Sequence, residues 1–400
     1  MSSSSITQTQ FASALSTLSS TADAVEEVAR KALTALQSSG PRTPDLGLVF
    51  FSNHHAPEAD FLAKKLCALL GTENLIGCSG ESIVGTGVEV EGSPAISLWL
   101  ASFATGTATP MYLHLEQTAE GGVIDGWPEA ISGEWSGDTF LLLLGEPYSF
   151  PADLLLERLN EDRAGVPVVG GMASGGDSPG EHRLILGPQT YAEGAVAVLI
   201  QNAAKLHTVV SQGCRPIGKP FIVTRAERNV IQELGGRPAL LQLKELFDTL
   251  PTREQALVQR KLHLGRVVSE YRDHFEQGDF LVRNVVGIDP QAGAIAIGDY
   301  IRVGQTVQFH VRDQDAADAE LKQLLAVAKS GAAGVPVGAL LFTCNGRGSR
   351  MFKEPHHDAA CIAEKLGDIP LAGFFAAGEI GPIGGQNFVH GFTASIVIFE

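Results

Sequence analysis

Two glycine-rich stretches near the C-terminus hold most of the residues able to do chemistry. One is Cys344-Asn345-Gly346-Arg347-Gly348; the other, residues 373–391, reads GFFAAGEIGPIGGQNFVHG. The first follows an apolar run that suits a buried strand. Gly346 and Gly348 permit φ > 0 or close backbone approach. The strand end can then present the Asn345 amide, backbone N–H groups and the Arg347 fork, whose planar geometry matches a carboxylate or phosphate. The bland alternative is a tight turn whose arginine pairs with a neighbouring carboxylate. The second stretch supplies Gly378, Glu379, Asn387 and His390. Its glycines leave backbone donors free for a small molecule, and Glu379 suits an amine or Arg347 itself. Here the alternative is a hairpin-like connection over a sheet edge, with His390 bonded to backbone.

Cys344 is a nucleophile only if Glu379 or His390 comes within reach; a lone cysteine at a strand end is more often a small packed hydrophobe. The glycine spacing is not that of a P-loop. His54-His55 and Glu354-Pro355-His356-His357-Asp358 invite a metal reading. Adjacent histidines are poorly placed to ligate one ion, however, and HExxH is missing, so no metal and no cofactor are expected.

The elements that must position these residues recur. Residues 46–52 (LGLVFFS) read as a strand, 57–70 as a helix with Pro57 in its first turn, 75–82 as a short strand running into glycines, and 94–103 as a closing strand. The order returns at 139–147, 151–160, 166–176 and 194–200, and again at 338–348, 357–367, 369–379 and 391–399. Leu46 to Thr139 and Gly77 to Gly170 are both shifts of 93, and EADFLAKKL then lies over PADLLLERL without a gap. Helical spacing also precedes the first and third copies, at 23–38 and 315–329; Asp23 and Glu26 suggest a capping box for the first. Residues 373–391 are therefore one of three equivalent loops. The glycines recur more faithfully than the acid: Glu81 stands near the place of Glu379, and the second copy offers only Asp177, later on. Between copies two and three, residues 225–236 and 237–250 read as two helices and 264–313 as an antiparallel meander with a turn at Asp289-Pro290-Gln291-Ala292-Gly293. The fold class expected is α+β: duplicated α/β modules with mixed β-sheets packed against helices, plus the meander in the C-terminal half. A boundary near 214–220 divides the chain into a flexible tail (1–22), an N-terminal domain (23–218) and a C-terminal domain (219–400).

Bulk composition narrows the function. With 44% hydrophobic and 18% charged residues the chain is a folded globular protein. A net charge of −16 argues against nucleic acid or an anionic membrane surface as partner. No apolar run reaches the length of a spanning helix, and the N-terminus lacks the basic and apolar regions of a secretory signal. Five cysteines without a CxxC pair fit free thiols in a reducing cytoplasm.

GALLFTCNGRG, the helix after it and PLAGFFAAGEIGPIGGQNFVHGFTASIVIF closely resemble the C-terminal half of FIST-domain proteins (F-box and intracellular signal transduction). PFIVTRAERNVIQELGGRPAL, FLVRNVVGID and GQTVQFHVRD resemble the start of that half, and LGLVFFS, LIGCSGES and VPVVGGMASGGD the N-terminal half. The resemblance spans about residues 25–400. It implies a FIST N-terminal and a FIST C-terminal domain forming a sensory pair that binds a small polar ligand, with amino acids or similar molecules as the class. The polar residues 1–22 leave no room for an F-box, so output is expected through a separate signalling partner. The ligand residues expected are Cys344, Asn345, Gly346, Arg347, Gly348, Gly378, Glu379 and His390, with no catalytic residue. The other readings are a thiol-dependent enzyme using Cys344 and a protein-interaction scaffold; oligomeric state is not legible.

Overall fold

The computed structural model describes residues 8–118, 121–135, 137–271, 274–275, 277–331 and 334–400. In chain order, module one comprises β1 (Gln10–Ser16), α1 (Thr21–Leu36), β2 (Leu46–Ser52), α2 (Ala59–Leu70), β3 (Leu75–Gly80), β4 (Ser82–Gly85), β5 (Val88–Glu91) and β6 (Ile96–Ser102). Module two comprises β7 (Thr107–Thr118), β8 (Gly121–Asp125), β9 (Thr139–Gly145), α3 (Ala152–Asp162), β10 (Val168–Met172), β11 (Leu184–Leu186), β12 (Gln189–Tyr191) and β13 (Ala195–Gln201). Module three opens with β14 (Leu206–Gln212) and is interrupted by β15 (Cys214–Glu227), β16 (Val230–Leu234), β17 (Arg237–Pro238), α4 (Ala239–Thr249), α5 (Thr252–Arg260), β18 (Leu262–Val267), β19 (Phe280–Asp289), β20 (Ala294–Ile297) and β21 (Thr306–Arg312). It resumes with α6 (Gln314–Gly331), β22 (Gly338–Cys344), α7 (His357–Leu366), β23 (Leu371–Ala376), β24 (Glu379–Ile383), β25 (Gln386–His390) and β26 (Thr393–Phe399).

The chain forms two compact units. The first holds the described residues as far as Val210 together with Leu321–Val389 and Thr393–Glu400; the second holds Ser211–Glu320 and His390–Phe392. In the first unit each module builds one mixed sheet. Its first strand pairs parallel with the second and antiparallel with the closing strand, as β2 does with β3 and β6, β9 with β10 and β13, and β22 with β23 and β26. The fourth partner comes from another module. Hairpin β4-β5 of module one extends the sheet of module three, β11-β12 of module two extends that of module one, and β24-β25 of module three extends that of module two. The exchange is cyclic, so no module completes its sheet alone.

The central strands of each module (β2, β3, β6; β9, β10, β13; β22, β23, β26) are buried on both faces, which is why they read as continuous apolar runs. Inner faces of all three sheets share one core, where the Phe50 ring lies 6.0 Å from Phe342 and 5.3 Å from Phe374, and Phe140 lies 5.8 Å from Phe399. Outer faces pack separate clusters under the helices: Val25, Val28 and Leu66 in module one, Leu155 and Leu159 in module two, Leu321 and Ile362 in module three. Gly77, Gly170 and Gly373 hold the same place in the three parallel pairs, opposite Val49, Leu143 and Leu341.

The second unit is an antiparallel barrel. Its strands run β15-β21-β18-β19-β20-β16, and β15 pairs back with β16 to close the ring around Val223, Phe309 and Val311. The expected meander is thus four of its strands. The helix expected over 225–236 is instead the β15-β16 hairpin: Arg228 turns the chain at φ +54°, and Ile231 and Leu234 point into the barrel. The second expected helix forms as α4, opened by Pro238. The tail reading of residues 1–22 needs correction where the structure describes it. Gln10–Ser16 pairs with β6 along its length, and Phe11 stacks on Trp99 at 4.7 Å. Four of the seven residues of QFASALS are apolar, but they come in adjacent pairs and not in strand alternation, so the stretch does not read as a strand. Residues 1–7 lie outside the described residues. Ser20, whose side chain accepts from the Asp23 N–H, caps α1 in place of the expected capping box. Among the described residues no helix is long and apolar enough to cross a membrane.

Candidate functional site

At the end of β22 the chain turns tightly. The Arg347 N–H donates to the Cys344 carbonyl at 2.8 Å and the Asn345 N–H to Ala376 at the end of β23, at 3.1 Å. Gly348 takes φ +55°, and a Cβ there would lie 2.7 Å from the Phe375 ring. The turn brings Arg347 inward, where it is fully buried. Its Nε and Nη2 each donate to Asp358 at 2.7 Å, and its guanidinium lies 5.1 Å over the Phe352 ring. Thr343 donates to the same carboxylate at 2.7 Å and His357 contacts it at 2.9 Å. Burial by itself would raise the Asp358 carboxyl. The Arg347 charge and hydrogen bonds, with His357, outweigh it and hold Asp358 well below the usual carboxylate range. Glu89 of β5 accepts from the Ala359 N–H in the first turn of α7 at 2.9 Å. Burial, reinforced by the negative field of Asp358, pushes its carboxyl up to about 8.

All three modules meet beside this turn. Ser174, just past β10, accepts from the Glu81 N–H at 2.8 Å and donates to the Phe375 carbonyl. Glu81 accepts from Arg350 at 3.1 Å, and Arg350 also donates to the Asn345 carbonyl at 2.8 Å. Carboxyl ends of strands at such a crossover are where open α/β sheets place ligands.

Glu379 is fully buried at the start of β24. One carboxylate oxygen accepts from the Thr393 N–H at 3.0 Å and the Thr393 hydroxyl at 2.8 Å, and the Cys344 side chain hydrogen-bonds the same group. Burial pushes the carboxyl up to about 8, against those hydrogen bonds and the field of Arg347. The strand register corrects the internal alignment. Ile380, Val84 and Ile185 lie opposite Gly170, Gly373 and Gly77, so Ile83 and Leu184, not Glu81, hold the place of Glu379. A carboxyl therefore sits where two copies of the same framework carry aliphatic side chains.

This has a measurable consequence. Between the ordinary glutamate range and about 8, the unfolded chain has released a proton that folded Glu379 keeps, so stability falls as pH rises through that window and levels above it. Glu89 acts in the same direction. Each pKa unit is worth about 1.4 kcal/mol. Glu379→Gln, unable to ionise, is expected to match wild type near pH 5 and to exceed it on the order of 2 kcal/mol at pH 8 in urea unfolding. Parallel pH profiles for the two proteins would mean that Glu379 is already ionised in the fold.

The structure brings Cys344, Asn345, Gly346, Arg347, Gly348, Gly378 and Glu379 together. Gly378 contributes its carbonyl to the Met172 N–H at 2.8 Å. His390 is buried and is grouped with the second unit. Asn387 braces module two, bonding Asn160, Val166 and Val168. The histidine pairs have structural partners: His55 meets Thr21 at 2.9 Å, His356 the Glu89 backbone at 2.9 Å, and His357 Asp358. Sequence reasoning missed Glu89, Ser174, Asp358 and Thr393 as members of the cluster. Asp358 was visible only as part of a polar run before a helix. The others lie in ordinary strand or loop text and reach the cluster through the hairpin exchange.

A family model described as FIST N domain matches residues 45–237, and one described as FIST C domain matches residues 239–382. The uncharacterized protein Rv0628c of Mycobacterium tuberculosis (strain ATCC 25618 / H37Rv) is 45% identical over 382 residues, 96% of this chain and 98% of its own length. The uncharacterized protein Mb0898c of Mycobacterium bovis (strain ATCC BAA-935 / AF2122/97) is 42% identical over 379 residues, 95% of this chain and 96% of its own. FIST domains are associated with signal-transduction sensing. Matched along both halves and similar to these relatives over nearly its whole length, the chain belongs to the FIST family.

Proposed function

We propose that the chain is a cytoplasmic sensor that binds a small polar molecule bearing an amine, of the amino-acid class, at the strand ends of module three, and signals through a separate partner protein. The observation that carries this reading is Glu379: a buried carboxyl at a position where modules one and two carry Ile83 and Leu184. Burying such a group costs stability unless its polar atoms are used. Cys344 and Asn345, both half-buried, border it, while Arg347 has its fork on Asp358 and acts by holding the turn.

An ammonium group beside Glu379 favours its anion, so ligand binding at neutral pH should release a proton. A thermal-shift screen of amino acids and polyamines finds the ligand, since binding raises the melting temperature by mass action. Calorimetry in two buffers of different ionisation enthalpy then counts protons. Release approaching one per ligand near pH 7, abolished in Glu379→Gln, is expected. A ligand that binds both proteins equally and without proton release would place the site elsewhere.

A second reading is a thiol-dependent enzyme, favoured by the hydrogen bond between Cys344 and Glu379. It requires the carboxyl to take the thiol proton. Alkylation of Cys344, read against Cys344→Ser, should then run at a plateau down to about pH 7. A rate rising only toward pH 8.5, as for a free thiol, removes this reading.

A further inference from the structure

Module two departs from its siblings in one respect. In module one, α1 lies between the outer strand β1 and the first strand β2, and packs on α2. Lys65 of α2 pairs with Glu26 of α1 at 2.9 Å, and Leu62 and Leu66 share a core with Val25, Val28 and Ala29. In module three α6 does the same for α7, with the Lys329 ammonium donating to the Lys365 carbonyl at 2.7 Å. Among the described residues module two has no α-helix between β7 and β9, but β8 and a 3-10 turn at Glu129–Ile131. With α2 laid over α3 at the shift of 93, the α3 residues matching Leu62, Lys65 and Leu66 are Leu155, Arg158 and Leu159. These line a cavity of about 530 Å³.

The rest of the wall holds two indoles, the Arg163 guanidinium and two carboxylates, Glu129 and Asp162. Trp127 and Trp135 face each other at 6.1 Å with their rings 48° apart, and Ile131 closes the floor. The Arg163 guanidinium lies 5.1 Å over the Trp135 ring, and its hydrogen bond to the Ser132 carbonyl is long, at 3.4 Å. Arg158 is engaged by Asp162 and Glu161 in exposed pairs, of the kind that contribute little.

We propose that this cavity binds a small amphipathic anion, an apolar body carrying a carboxylate or sulfonate, with the body against the two indoles and the acid on Arg163. The size decides between occupants. Trp127, Ile131 and Trp135 pack with Leu155 and Leu159, whereas in module one residues of the 16-residue helix α1 pack with the matching Leu62 and Leu66. What remains lies in the range of small-ligand pockets, which are apolar and aromatic with a few polar groups. The charge sets the class: Arg158 and Asp162 pair with each other, and of the remaining lining charges, Glu129 and Arg163, the planar Arg163 fork is the one matched to an acid.

The test uses 8-anilinonaphthalene-1-sulfonate, decanoate and 1-decanol on the full chain. Saturable probe binding that quenches tryptophan emission is expected, since Trp99 lies in the buried core and the other two tryptophans line the cavity. Decanoate should displace the probe about tenfold better than decanol, the worth of one charge-assisted pair. Arg163→Gln should remove that tenfold difference. Leu154→Trp, at a half-exposed rim position, should fill the cavity and abolish probe binding. Glu379→Gln should change nothing here, which separates this site from the amine site. Probe binding untouched by both cavity variants, or decanol as effective as decanoate, would overturn the proposal. So would binding of a peptide with the sequence of residues 21–36 while both anions fail, which would make the cavity a helix-docking site.

Discussion

Arg347→Ala is expected to destabilise the first unit by about 3–5 kcal/mol, the usual cost of removing one partner from a buried ion pair. The loss has two sources. Asp358, fully buried, would keep its charge without the bidentate guanidinium that offsets its desolvation, and the void under Phe352 would lose its packing. The pH dependence gives the sign. Asp358 is held below its ordinary value in the fold, so its contribution is present above the ordinary aspartate range and is lost as pH falls through the lower folded value. Arg347→Ala should therefore unfold at lower urea concentration at pH 7, and the gap to wild type should narrow in acid as Asp358 in the variant takes up a proton. Arg347→Lys, which keeps the charge but not the fork, should recover only part of the loss. An Arg347→Ala protein as stable as wild type would mean that the pair is open in solution and the arginine is available to a ligand.

Gly373→Ala and Gly170→Ala are each expected to cost about 4 kcal/mol or more, at the upper end of single-site effects. A Cβ on Gly373 would lie 1.8 Å from the Leu341 carbonyl oxygen, and one on Gly170 would lie 2.0 Å from that of Leu143. Both obstacles are backbone atoms of the parallel neighbour, so no side-chain rotation relieves them. Gly170 also adopts φ +138°, outside what an alanine takes up readily. Gly77→Ala meets the Val49 carbonyl at 2.0 Å and belongs with them. Gly385→Ala is the control: its φ is +80° but nothing lies within 4 Å, so only backbone strain remains, worth about 1–2 kcal/mol. Soluble yield and urea midpoints of the four variants measure the contrast. Equal, mild effects at all four would show that the strands separate easily at these pairs.

The repeat was legible because its signals are local. Continuous apolar runs mark strands buried on both faces, helical spacing marks the covering helices, and the shift of 93 is preserved where insertions are few. The loop 344–348 and Glu379 were legible for the same reason: glycine beside polar residues at a strand end is visible in one window of text. Helix 225–236 was misread because VIQEL suits either state. Closure of the barrel, which pairs β16 with β15 and β20, decided for strand.

By itself the sequence determined the modules, their order and the family, since these follow from patterns that neighbouring residues set between them. Tertiary structure alone decided which hairpin completes which sheet, and so which groups meet. Asp358 claims Arg347, Thr393 claims Glu379, and Ser174 links three modules through contacts between residues as many as 201 positions apart. Those pairings depend on burial and on competition among distant partners for the same buried polar atoms, and neither is written in any local stretch of the chain.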